Sequence, residues 1–281
     1  MGLPTYQRAL SLHYRRDEQA LATALALVVG NLSVMLATYP LRLLLENLGL
    51  VYTITILSTI TLAITIATVY VCLRVAVDKG SNTRSQIGFR NIGEIARDPH
   101  SWGVSITTVA TNEVMLSFQS AWGQLLLSKC FKIDRITTSY YLMILALVFV
   151  LVSPITGYIS DKLLKKRKPL LLSTLLATVS WTLIYISHLA GSTQLLLLSM
   201  IVMGIDVGLH IVASPMIKEV RGPEVAATST AFLNTVLFLS TALLNTIPPL
   251  LNPLHAVVAS SIISFTGIIM VELFTRESLR K

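Results

Sequence analysis

Long uncharged runs alternate with short charged segments along almost the whole chain. A helix needs about 20 mainly apolar residues to cross the hydrocarbon core of a bilayer. On that rule the pattern predicts crossings at residues 19–45, 50–76, 102–128, 139–160, 169–189, 194–217, 225–247 and 255–275. Backbone polar groups in lipid must be satisfied inside their own segment, so each run is read as a helix. The expected fold class is an all-α membrane protein with eight transmembrane helices. Residues 1–18 form a polar, partly helical approach, with Asp17 and Glu18 placed for the positive end of the first helix dipole.

Two runs depart from a plain apolar pattern. Thr53-Ile54-Thr55-Ile56 and Thr59-Ile60-Thr61-Leu62 alternate with the period of a strand. The uncharged stretch around them is too long for a strand, so a helix is predicted, its threonine hydroxyls bonding back to carbonyls a turn earlier. The third run is the most polar. Helical spacing puts Asn112, Leu116, Gln119 and Gly123 on one strip and Glu113, Ser117, Ser120 and Gln124 on the next, which predicts a wet face.

Charge then adds orientation. With the N-terminus inside, nearly all Lys and Arg fall in cytoplasmic segments, and only Arg42, Lys129, Lys132 and Arg135 lie outside. Both termini are therefore expected in the cytoplasm, with the chain a multi-pass protein of the cell (inner or plasma) membrane. The net charge of +8 reports topology, and no nucleic-acid partner is expected, because the basic residues sit in turns and not along one helix face. Cys72 and Cys130 have no metal-ligand spacing, and residues 1–18 lack the apolar core of a cleavable signal. Neither a Gly-x-Ser-x-Gly nucleophile nor a His-Glu-x-x-His metal site occurs, so no enzyme, metal or cofactor is expected.

The buried chemistry is sparse. Asp206 falls near mid-membrane with His210 one turn later, either a proton path or a hydrogen-bonded lock between helices. Gly204 and Gly208 form a small-residue pair suited to close packing. Asn31 and Asn234 read first as packing hydrogen bonds and second as solute contacts. Arg42 has Glu46 four residues on as its expected partner.

Between the fourth and fifth runs lies Gly157-Tyr158-Ile159-Ser160-Asp161-Lys162-Leu163-Leu164-Lys165-Lys166-Arg167-Lys168, read as a short water-exposed turn in which Gly157 lets a helix end approach its neighbour. It resembles the signature loop of the major facilitator superfamily, Gly-x-Leu-Ala-Asp-Arg-x-Gly-Arg-Arg. Gly157, Asp161, Lys162, Lys165 and Arg167 match in identity or charge, and Leu164 replaces the second glycine. The resemblance implies a secondary transporter of a small solute working by alternating access between two six-helix halves. It implies a cytoplasmic gate of Gly157, Asp161, Lys162 and Arg167, with Asp161 reaching Arg15 and Arg16 and Glu219 in the same network; the alternative is a topology loop facing water. It also implies a solute path along the third run, with Glu113, Gln119 and Trp122 lining it or gluing the bundle, and proton coupling through Asp206, His210 or Glu113.

On this reading residues 1–76 are the remnant of an N-terminal half, 77–101 a cytoplasmic linker, and 102–281 a complete six-helix half. Four helices are then missing. A truncated or split transporter is expected, whose partners are the bilayer, the solute, and either a separate chain supplying those helices or a second copy. The alternative is a non-transporting membrane scaffold or receptor-like fragment.

Overall fold

A computed structural model of the chain describes residues 30, 32–33, 35–74, 89–163, 166–219, 226–250 and 252–277. These residues are helical except for short connections. Five helices among them are long and apolar enough to cross a membrane: Tyr39–Val71, Arg135–Ser160, Arg167–Leu189, Thr193–Ile217 and Pro253–Phe274. The first predicted crossing lies mostly outside the described residues. The third and seventh are helical but more polar or interrupted.

Helix α1, Tyr39–Arg74, joins two helical stretches at Gly49, whose φ of 74° and ψ of 170° break the helix at the predicted boundary between the first two runs. Glycine lacks the Cβ that penalises positive φ. Beyond it the threonines behave as predicted: Thr55 Oγ1 donates to Val51 O at 2.9 Å, and Thr59, Thr61, Thr65 and Thr68 each reach the carbonyl four residues back at 2.8 Å. Arg42 pairs with Glu46 at 2.7 Å.

The expected linker contains a helix of its own, α2, Phe89–Ala96, with Ile95 fully buried and Glu94 outward. Asp98 then caps the next helix by accepting from the His100 N–H at 3.2 Å, with Pro99 in the first turn. That helix, α3, covers residues 99–130 and carries two π turns, Val109–Glu113 and Phe118–Trp122. A π turn lengthens the hydrogen-bond ladder by one residue and loosens it. Ser264 supplies an outside donor to the first turn, at 2.9 Å from Ala110 O. Gly123 permits the second, since a Cβ there would lie 2.5 Å from Phe118 O.

The remaining helices are α4 (Arg135–Leu163), α5 (Arg167–Leu189), α6 (Thr193–His210), α7 (Ala213–Glu219), α8 (Ala226–Leu250) and α9 (Pro253–Phe274). Ser192 and Asn252 cap α6 and α9 with side-chain oxygens. Helix α6 packs between α4 and α5, α5 packs on α9, all four touch α3, and α8 lies against its π turns. The core is aromatic: Trp122 stacks on Trp181 with centroids 5.6 Å apart, and Phe118 meets their edges at 5.1 and 5.3 Å.

Two expectations about glycine separate here. A Cβ at Gly204 would sit 2.7 Å from Leu145 O, and one at Gly208 would sit 2.5 Å from Val152 Cγ1, so this pair brings α6 against α4 as predicted. At Gly157 a Cβ would meet nothing within 4 Å among the described residues.

Candidate functional site

The polar face of α3 is the first place to look for chemistry. Asn112 and Gln119 are half-buried, while Leu116, Ser120 and Gln124 are exposed. Glu113, Ser117 and Gly123 turn inward. This differs from the two strips predicted at regular spacing, because each π turn inserts a residue and shifts the helix face that follows. Gln119 Nε2 reaches Leu142 O of α4 at 3.4 Å.

Glu113 is 4% exposed and held from two helices. Asn112 Nδ2 donates to its Oε1 at 2.7 Å, and Thr241 Oγ1 of α8 donates to its Oε2. The same seam is tied once more, by Ser117 Oγ donating to Leu244 O at 2.6 Å. Trp122, read as lining the solute path or gluing the bundle, is 2% exposed in the aromatic core, with its Nε1–H donated to Ser117 Oγ at 3.1 Å.

Asp206 is 1% exposed and turned toward α5, where Ser173 Oγ donates to its Oδ1 at 2.7 Å. His210, half-buried, has its Nδ1 2.9 Å from Val207 O of its own helix. The i, i+4 spacing puts both on α6, but their hydrogen bonds run in different directions. Asn234 is exposed on α8. Asn31 lies outside the described residues.

The basic segment is more built than a turn in water. Gly157 and Asp161 belong to the last turns of α4, and α5 starts at Arg167, two residues before the expected Pro169. Arg167 grips the end of α9: its Nη2 lies 2.7 Å from Glu272 Oε2 and 2.9 Å from Glu272 O. Glu277 Oε1 accepts the N–H of Lys166 at 2.5 Å and of Arg167 at 3.2 Å, and Lys166 is buried. The expected gate partners Arg15 and Arg16 lie outside the described residues, as do the side chains of Asp161, Lys162 and Glu219.

A family model for the Major Facilitator Superfamily matches residues 1–245. The chain belongs to the major facilitator superfamily. It is a membrane transporter of the major facilitator type, and its apolar helices make it a multi-pass protein of a lipid bilayer that handles a small solute. No curated protein matches it.

Sequence reading of this facilitator chain missed Ser173, Thr241, Glu272 and Glu277. A serine or threonine in a transmembrane helix usually bonds its own backbone, as most here do, so nothing local marks Ser173 and Thr241 as reaching across to a carboxyl group.

Proposed function

We propose that this chain moves a small solute by alternating access, driven by protons, along a path lined by the polar face of α3. The observation that carries the reading is that face itself: Ser120 and Gln124 are exposed, and Asn112 and Gln119 half-buried beside them, on a bundle whose other outward faces are mostly aliphatic. An exposed amide such as that of Gln124, turned to hydrocarbon, would lose its hydrogen bonds at a cost of several kcal/mol, about 4–8 by transfer to an alkane, which supports a face that serves water and solute. Asn234, exposed on α8, is assigned to the same path. Glu113 and Asp206, both buried carboxylates within crossings, are the proton carriers, with His210 beside Asp206 on α6. Trp122 acts in packing.

The cytoplasmic gate is assigned to Gly157, Asp161, Lys162, Arg167 and Glu219, with Arg15 and Arg16 opposite, and both termini to the cytoplasmic side of the cell membrane. The bracing of Arg167 by Glu272 and Glu277 supports a fixed inner edge against which a gate can close. The crossing in α1 buries none of its apolar window inside the protein, which supports further helices, from another chain or a second copy, completing the pathway.

Purified chain in proteoliposomes, offered a panel of small organic solutes under a pH gradient, tests this. Saturable uptake that collapses with the gradient and is lost in Asp206→Asn is expected. Folded chain that takes up no solute, alone or with co-reconstituted partner helices, would leave a membrane scaffold as the better reading.

A further inference from the structure

Helix α9 ends at Phe274, and both donors of Thr275 close it: the N–H and the hydroxyl turn back to Val271 O, at 3.3 and 2.6 Å. The next donor along the chain, the Arg276 N–H, finds its partner in the first turn of α3, at His100 Nδ1, 2.9 Å away. A backbone N–H only donates, so Nδ1 offers its lone pair there and the neutral ring carries its hydrogen on Nε2. His100 is 1% exposed.

The same tail fastens a second element. Glu277 Oε1 accepts the N–H groups of Lys166 and Arg167, so residues 275–277 tie the end of α9 to the start of α3 and to the connection between α4 and α5. The end of α9 is seated separately. A Cβ at Gly103 would lie 2.9 Å from Phe274 Cβ, and Arg167 holds Glu272. Loss of the His100 bond would therefore free the chain beyond Thr275 and leave the helix in place.

The first turns of α3 pack against α2, α7, α8 and α9. Helix α2 carries Arg90 and Glu94, and exposed Arg97 and half-buried Asp98 follow it. Helix α7 carries Lys218 and Glu219, and α8 has no titratable residue. Helix α9 and its tail carry Glu272, Arg276 and Glu277 at this end and His255 at the other. Asp98, which accepts the His100 N–H at 3.2 Å, favours a charged imidazole, whereas Arg276 and the positive end of the α3 dipole oppose it.

We propose that residues 275–277 are a pH-sensitive clasp: neutral His100 holds the tail against α3, and protonated His100 releases it. Histidine is the side chain that ordinarily changes charge close to neutral pH, at about 6.5. A proton from water adds to the Nδ1 lone pair that the Arg276 N–H uses. The imidazolium has a hydrogen on each nitrogen and no acceptor, so two donors face one another and the Arg276 N–H turns to water. A buried cation is costly, which favours the state in which the lifted tail uncovers the ring. Glu277, one residue on, then loses the anchor that keeps it beside Lys166 and Arg167. The clasp stands on the tail geometry and holds whether or not the chain transports.

Hydrogen exchange of the C-terminal amides, with nitrogen NMR of the histidine rings, tests it on the full chain in lipid nanodiscs. At about pH 8 the His100 ring, assigned by its loss in His100→Asn, should be the Nε2–H tautomer. Protection of the Arg276 amide, corrected for the intrinsic effect of pH on exchange, should fall by about 2–10-fold as His100 protonates, the worth of one neutral hydrogen bond. His100→Asn keeps an acceptor that does not titrate, and His100→Ala has none. Both should lose the pH dependence, the first near the parent's protected level and the second near its released level. A neutral ring with its hydrogen on Nδ1, or a parent tail equally protected before and after His100 titrates, overturns the clasp. So does a pH response that persists in His100→Asn and disappears in Glu277→Gln, which would place it on the Glu277 carboxyl. Should His100→Ala fail to fold, the parent and His100→Asn decide alone.

Discussion

Ser173 and Asp206 meet across the α5–α6 seam with a single hydrogen bond of 2.7 Å, and both are sealed from solvent. A carboxylate in that position depends on its donor. Ser173→Ala leaves a buried acceptor unpaired, at a cost of about 1–3 kcal/mol, and should lower the unfolding temperature. Asp206→Asn keeps the shape and can still accept from Ser173, so it should melt close to the parent while losing proton-driven uptake. Thermal melts of both variants beside flux separate the structural role from the coupling role.

Gly208 faces Val152 so closely that a Cβ would lie 2.5 Å from Val152 Cγ1. Gly208→Ala should destabilise the bundle by about 1–3 kcal/mol through overpacking. Adding Val152→Ala should recover part of the loss, measured by denaturant unfolding in detergent. Equal damage in the single and double variants would show that the glycine serves something other than helix approach.

Arg167 and Glu272 are both partly exposed, their side chains 35% and 50% accessible. A double-mutant cycle on the pair should therefore yield only about 0.2–1 kcal/mol, shrinking as salt is added. Glu277→Gln, which keeps an acceptor for the Lys166 and Arg167 N–H groups, should be milder than Glu277→Ala.

Asp134 caps α4 in the loop that precedes it, accepting from the Thr137 N–H at 3.0 Å. The Thr137 hydroxyl first, and then its N–H, hold the carboxyl below the usual aspartate range. A depressed folded value means that the stabilisation is complete above the unfolded pKa of about 3.9 and is lost as pH falls through the lower folded one. The parent should thus lose stability just below about pH 4, whereas Asp134→Asn should lack that dependence, as melts at stepped pH would show.

Short-range relationships were legible in the residue order. The helix through Thr53 to Thr68 follows from run length, because no strand crosses a bilayer with its backbone unpaired. The Arg42–Glu46 pair and the approach at Gly204 and Gly208 follow from i, i+4 spacing on a regular helix. The facilitator family follows from the alternation of runs and the charged loop after Gly157.

Tertiary structure decided what regular spacing could not carry. Two π turns in α3 each shift the register by a residue, about 100° of rotation, so Trp122 and Gly123 turn into the core while Ser120 and Gln124 stay outside. Thr241 reaches Glu113 and Ser173 reaches Asp206 from distant parts of the chain, by hydroxyls that look like any other in a transmembrane helix. Only the packing of α8 and α5 against their neighbours turns those two toward carboxylates, while most of the others stay bonded to their own backbone.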